Sequence, residues 1–295
     1  MTGTDSAINL NDLLGRVGAI LKSRAISHEP MPVGFGLMGL HVRLADGREV
    51  AVKAGKPRKA GHLLLEASML NDLARLTELP VPEVLHAEDD LLLMSWIDGG
   101  TGSLTDKAQS HAAELLAELH ALRFDSFGYE HDTAIGPLTQ PNPSSSSWIS
   151  FFRDHRLLHM SGKAADSGAL PAPLHMRLQE FAGHLGDYLT EPSHPSLIHG
   201  DVWSGNVLSR DGRITGLVDP ALSWSHPEIE LAFTTLFGTF TRPFFDAYDA
   251  LVGIDRGFHE VRKDIYNLYP LLVHVRLFGG SYLAPIDATL RRLGF

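Results

Sequence analysis

The 295-residue chain is 44% hydrophobic and 20% charged, has no cysteine, and carries a formal net charge of −10. That length suits one large domain or two packed lobes, and the missing thiols exclude cysteine nucleophiles, Cys-zinc sites and iron–sulfur clusters. The acidic balance argues against duplex nucleic acid or an anionic membrane, which both need a basic face, and favours a small-molecule partner. The first ten residues hold neither a basic segment nor an apolar run, so no signal peptide is expected. The longest apolar stretches, at 91–94 and 271–275, fall far short of the roughly 20 residues that span a bilayer. A cytoplasmic, monomeric protein without a membrane partner is expected.

In chain order, Leu10, Leu13, Leu14, Val17 and Leu21 repeat at helical spacing and predict a helix over 9–22. Residues 33–54 alternate like two strands joined at Asp46-Gly47, a pair suited to a tight hairpin turn. A helix is predicted over 61–76, then a strand pair ending at 91–97. Composition shifts after that point. A helix over 104–122 has Thr105 as its N-cap candidate, and 136–147, rich in Pro and Ser, reads as a flexible surface loop. From Trp148 the chain reads as mostly helical, interrupted by a β-like stretch at 197–219.

That interruption carries the chemistry. It reads His199-Gly200-Asp201-Val202-Trp203-Ser204-Gly205-Asn206, then a turn at Asp211-Gly212 and an apolar strand ending in Asp219-Pro220. Phosphoryl transfer needs an acceptor that orients and deprotonates a hydroxyl, and hard oxygen ligands for magnesium. Asp201 suits the first task, with Asn206 and Asp219 suited to the second. The His-Gly-Asp-x-x-x-x-Asn spacing resembles the His-Arg-Asp-x-x-x-x-Asn loop of protein kinases, with Asp219-Pro220 standing where those enzymes carry Asp-Phe-Gly. A buried polar turn is the plainer alternative for either motif alone.

The first hundred residues offer matching partners. Lys53 interrupts an apolar strand, E-V-A-V-K, and Glu66 follows thirteen residues later in the next helix. Such a lysine would contact the ATP phosphates and Glu66 would hold its ammonium; the plainer reading of Glu66 is a solvated helix carboxylate. Gly34, Gly36 and Gly39 match G-x-G-x-x-G. They precede a strand rather than a helix, which favours a lid whose amides cover phosphates over a dinucleotide fold; a bare hairpin is the alternative. Adenine would bond to backbone groups at Ser95, Trp96 and Ile97. These expectations make the chain α+β and bilobal with a protein-kinase-like fold. A small antiparallel-sheet lobe with one inserted helix (1–96, nucleotide-binding) would precede a larger, mainly helical catalytic and substrate-binding lobe (97–295). ATP and Mg2+ would be the cofactors.

The tryptophan inside HGDVWSGN resembles the fructosamine kinase (ketosamine-3-kinase) family. So do Phe127-Gly128-Tyr129, Gln140-Pro141-Asn142, Trp148, Phe151-Phe152 and Arg156-Leu157, the run His226-Pro227-Glu228-Ile229-Glu230, and Phe278-Gly279-Gly280-Ser281-Tyr282. The resemblance implies ATP-dependent phosphorylation of a sugar-amine adduct on its 3-hydroxyl, which destabilises the adduct and frees the amine. It would make Trp203 a wall of the sugar-amine pocket and give Glu228 and Glu230 either a substrate-facing or a loop-holding role. The glycine loop departs from the family's Gly-Gly pair with a following polar residue and Asn. Open alternatives are a kinase for another hydroxyl (an aminoglycoside, choline or a sugar), a weakly catalytic nucleotide-binding protein, and an oxidoreductase resting on the glycines alone. The sixteen histidines show no zinc-site spacing. Glu118, His120, Trp96 and Trp224 read as ordinary helix and packing residues.

Overall fold

A computed structural model describes residues 8–56 and 62–295. The leader reading at the N-terminus rests mainly on residues outside these ranges, as does the helix start expected at Gly61. The chain opens with α1 (Leu10–Leu21), capped by the Asn9 side chain, which accepts from the amides of Asn11 and Asp12. Strands β1 (Ala25–Pro30), β2 (Met38–Leu44) and β3 (Glu49–Ala54) follow, then α2 (Leu63–Leu76), β4 (Val84–Glu88) and β5 (Leu91–Ser95). The five strands form one antiparallel sheet in the order β1-β2-β3-β5-β4.

Successive strand residues point to opposite faces, and here both faces are covered. Helix α1 brings Leu13, Val17 and Leu21 against Leu40, Val42, Val52, Leu91 and Leu93. Helix α2 brings Leu63, Ala67 and Leu70 against Ala51, Leu92 and Met94 on the other face. A strand covered on both sides loses its polar alternation, which is why β3 and β5 read as nearly unbroken apolar runs. Strand β1 has no counterpart among the expected elements. It lies at the sheet edge with five of its six residues exposed, so no apolar pattern marks it.

The remainder is mainly helical, as the sequence predicts. Helix α3 (Asp106–His120) starts at Thr105, whose Oγ1 accepts from the Ala108 amide at 3.2 Å. Strands β6 (Thr133–Ile135) and β7 (Leu138–Gln140) form a hairpin. Helix α4 (Trp148–Phe152) continues through a π-helical stretch, Arg153–Leu158, into α5 (His159–Asp166), and α6 (Ala172–Ala182) follows. The hairpin corrects the loop expected over 136–147. Phe127 and Ser145 exchange backbone hydrogen bonds of 2.8 and 3.1 Å, and Ser147 caps α4 by accepting from Ser150. The serines close a turn and start a helix.

Strands β8 (Ser196–Ile198), β9 (Val207–Arg210), β10 (Arg213–Leu217) and β11 (Ser223–Ser225) come next. Helices α7 (Pro227–Leu236), α8 (Arg242–Val252), α9 (Lys263–Tyr266), α10 (Leu268–Phe278) and α11 (Leu283–Leu293) complete the described chain. Their core centres on Trp148, Phe151, Phe152 and Tyr266, with the Trp148 indole donating to the Tyr266 hydroxyl at 3.0 Å. Helix α2 ties the two regions together. Its Met69 and Leu73 belong to this second core while Leu70 packs on the sheet, and Asp72 accepts a 2.7 Å bond from the Tyr129 hydroxyl. Among the described residues no helix is long and apolar enough to cross a membrane.

Candidate active site

Two short strand pairs build the site. Strand β8 pairs with β11, and β9 with β10 through a turn in which Asp211 and Gly212 both take positive φ. The loops they leave, 199–206 and 218–222, are thereby held side by side: the Ala221 amide donates to the His199 carbonyl at 2.7 Å and the Val218 amide to Asn206 at 3.1 Å. Gly200 has φ +87°, and a Cβ there would sit 2.1 Å from the Ala221 carbonyl oxygen. Only glycine fits this crossing.

Asp201 lies in the first loop and Asp219 in the second. Asn206 Nδ2 donates at 2.9 Å both to the Asp201 carbonyl and to its Oδ2. With its nitrogen so engaged, Asn206 leaves Oδ1 free as a hard oxygen. Burial pushes the Asp201 carboxyl up to about 7, helped by the charge of Asp219 and opposed by the Asn206 bond. A general base needs such a value near working pH. Asp219, at φ +56°, is nearly half exposed and meets Lys53 in an ion pair.

The face of β3 that α2 covers also presents Lys53, so its ammonium reaches Glu66 at 2.7 Å as well as Asp219. Burial works against the Lys53 charge, but Glu66 and Asp219 outweigh it and raise its pKa. Glu66 is pushed up by burial, with Lys53 opposing. The oxygen donors suit Mg2+, which takes few protein carboxylates and completes its shell from phosphate and water. Asn206 Oδ1 and the exposed Asp219 carboxylate could hold it once the lysine turns to a phosphate.

The glycine motif divides. Leu37 donates to the Gly34 carbonyl across a turn in which Phe35 and Gly36 have φ of +60° and +76°, the signs of a type I′ turn. This turn is the lid candidate. Gly39 sits inside β2 opposite Lys53, where a Cβ would lie 2.4 Å from the Met31 carbonyl oxygen. Its smallness serves the chain crossing there. The tip residue Phe35 reaches toward Gly136 of the β6–β7 turn and Phe278 of α10.

At the expected adenine edge, the Ser95 amide donates to Glu83 and the Trp96 amide to Glu49, at 2.9 and 3.1 Å. Those two donors are therefore taken. The Trp96 ring stacks on His41 with centroids 3.8 Å apart, and Ile97 packs on Gly216, where a Cβ would lie 2.7 Å away. Trp203 is 40% exposed, and its ring lies over Gly205, where a Cβ would fall 2.4 Å from the indole.

The His226-Pro227-Glu228-Ile229-Glu230 run faces inward. His226 caps α7 by accepting from the Glu228 amide at 3.1 Å, and burial with nearby Arg262 drops its imidazole to about 3. Both Glu228 oxygens accept from Arg262, at 2.6 and 2.7 Å. The substrate-facing expectation for Glu228 is thus corrected: the pair is buried and its oxygens are occupied. Glu228→Ala should lower unfolding free energy by about 3 kcal/mol, because a buried guanidinium loses its main partner. Urea titration would check this, and the acceptor KM of the folded fraction should not move.

Glu230 accepts from the Gly200 amide at 2.6 Å and binds His120 at 2.9 Å; His120 in turn meets the Tyr248 hydroxyl at 2.7 Å. Burial works to raise Glu230, but the His120 and Gly200 bonds prevail and hold it below the usual range. His120, read from the sequence as an ordinary helix residue, is thus buried and twice hydrogen-bonded. Through Glu230 it props the 199–206 loop from behind, and its place one residue after Leu119 and four after Leu116 is the sequence signal for burial.

The family model for fructosamine kinase matches residues 22–293. The chain belongs to the fructosamine kinase family. It is 30% identical to a "probable ketoamine kinase" of Enterococcus faecium over 93% of this chain and 98% of that one. It is 34% identical to the chloroplastic protein-ribulosamine 3-kinase of Arabidopsis thaliana over 68% and 62%. A crystal structure of a "putative fructosamine-3-kinase" from Thermobifida fusca YX-ER1 superposes with a TM-score of 0.86 at 32% identity, covering 96% and 98%. Membership in the fructosamine kinase family makes the chain a phosphotransferase with a hydroxyl acceptor.

Proposed function

We propose that this chain uses ATP and Mg2+ to phosphorylate the sugar 3-hydroxyl of a ketosamine, a fructosamine or ribulosamine adduct, and so starts its deglycation in the cytoplasm. The observation that carries the reading is Lys53 held between Glu66 and Asp219, with the charge of that same Asp219 helping to hold the Asp201 carboxyl near 7. The nucleotide would lie between the sheet region (1–96) and the helical region (97–295). Its α- and β-phosphates would face Lys53 under the Gly34–Gly36 turn, and adenine would meet the Ile97 amide. The acceptor hydroxyl would give its proton to Asp201 as its oxygen attacks phosphorus and ADP leaves. Asn206 and Asp219 would hold Mg2+, which would supply positive charge to offset that of the phosphates.

Trp203 offers an exposed aromatic face to the polyol and to a neighbouring ammonium. Glu228 drops out of the substrate set, because Arg262 occupies it. The test is product identification by mass and phosphorus NMR from a mixed pool of fructosyl- and ribulosyl-amines. A 3-phosphate ester on either sugar supports the reading. Turnover of an aminoglycoside, choline or free sugar with no ketosamine turnover overturns it.

A further inference from the structure

The segment that leaves Asp219 is anchored by side chains outside both catalytic loops. Thr133 Oγ1 donates to the Leu222 carbonyl at 3.0 Å, and Gln140 Nε2 donates to the Ala221 carbonyl at 3.2 Å. Ala221 O is the same atom that presses on Gly200, next to Asp201. Two hydrogen bonds from the β6–β7 hairpin therefore hold the strip that carries Asp219 and that meets Gly200 beside Asp201.

Their directions are fixed by chemistry. Arg156 can only donate; its Nη2 meets Asn142 Oδ1 at 2.7 Å, so Asn142 Nδ2 must face Thr133 Oγ1 at 2.8 Å. Gln140 Nε2 also donates to Thr133 Oγ1, at 3.0 Å. With both lone pairs filled, the Thr133 proton has one place to go, the Leu222 carbonyl. On the other branch, the Tyr269 hydroxyl donates to Gln140 Oε1 at 2.8 Å, which turns the amide nitrogen toward Ala221. All five side chains are buried.

Arg156 is the unusual member. It is 1% exposed and no carboxylate pairs with it among the described residues; its other acceptors are the Pro141 and His155 carbonyls, and its guanidinium lies 4.6 Å from the Phe151 ring centroid. Burial pulls it down to about 10, still charged at neutral pH. A packing role calls for no buried charge. A cation at the head of a donor chain polarises each bond after it and strengthens the last one.

We propose that Thr133 and Gln140 are positioning residues for phosphoryl transfer, which aim Asp219 through the Leu222 and Ala221 carbonyls while Arg156 sets the polarity of the network. The inference deepens the kinase reading and rests on it. Thr133→Val keeps the shape and removes the hydroxyl; Thr133→Ser keeps all three hydrogen bonds. The Val variant should lose about ten-fold in kcat at unchanged acceptor KM. It should weaken Mn2+ binding to the complex with a non-hydrolysable ATP analogue, read by electron paramagnetic resonance, by a similar factor. The Ser variant should stay within two-fold of the parent in both.

Tyr269→Phe, which frees the Gln140 amide while leaving the ring, should move both readouts the same way by a smaller factor, and serves if the Val variant does not fold. Unchanged Mn2+ affinity and kcat per folded molecule in the Val and Phe variants, with only a lower melting temperature, would overturn the proposal. A parent protein that binds no metal–nucleotide at all would remove the kinase reading itself, a result distinguishable from the first.

Discussion

Asp201→Asn should lower phosphoryl transfer about a thousand-fold and, measured without nucleotide, make the protein more stable at pH 8. The first effect follows from removing a general base, a loss of roughly 10²–10⁴ in rate. Binding of Mg-ATP should stay within a few-fold, since Asn206 and Asp219 keep their oxygens. The second effect follows from linkage. The native Asp201 carboxyl sits at about 7 because of burial and the Asp219 charge, against 3.8 for an unperturbed one. Between those values the native state holds a proton that the unfolded chain has released, so stability falls as pH rises from about 4 to about 7.

Above pH 7 the whole penalty stands, and asparagine does not incur it. Three units correspond to an upper bound of about 4 kcal/mol; partial exposure reduces it to the order of 2 kcal/mol, or several degrees of melting temperature. The gap should close as pH falls toward 4. In the parent, kcat/KM, which reports groups of the free enzyme, should climb with pH up to about 7 and level off. A flat profile with no stability gain in the variant would take the base role from Asp201.

The arrangement of the Asp201 loop was legible because its members are close in sequence. Asp201, Asn206 and Asp219 lie within nineteen residues, on two short hairpin-like connections whose lengths fix their separation. Lys53 and Glu66 were legible for a different reason. A charged residue in a strand buried on both faces has to find a partner on the helix that covers it, and α2 is the next element. His120 was not legible: its meaning depends on Glu230, 110 residues away, and a histidine at a helix end looks like a favourable C-terminal charge.

The burial of Thr133, Gln140 and Asn142 was hidden by their surroundings. Polar residues beside a Pro- and Ser-rich stretch suggest solvent, and only the three-dimensional path of the hairpin buries them. Strand β1 fails as a signal for the opposite cause: as an edge strand it needs no apolar face. The glycines at 34, 36 and 39 form a motif in sequence but answer two separate needs in space, a tight turn and a close crossing.

Lys53→Met should cost both activity and stability, and a second substitution should separate the two. On the proposed reading, removing the ammonium takes away a preorganised donor to the α- and β-phosphates of ATP, a loss of about 10²–10³ in kcat/KM for ATP. It also leaves the Glu66 carboxylate buried without its cation and facing Asp219, at a cost of about 3–5 kcal/mol. Glu66→Gln added to Lys53→Met removes the stranded charge. The double variant should therefore recover most of the unfolding free energy while transfer stays lost, giving a coupling of about 1–3 kcal/mol between the two sites.

The pH dependence has a definite sign. Burial and Asp219 already raise Glu66, and Lys53 is the group that opposes them. Without the lysine the native pKa rises further above its unfolded value, so the single variant is least stable at high pH and regains stability as Glu66 takes up a proton on acidification. Denaturant titrations at pH 5 and 8 would read this directly. A deficit that is the same at both values, or that persists in the double variant, would mean that Lys53 does not stabilise the fold by holding Glu66 in its ionised form.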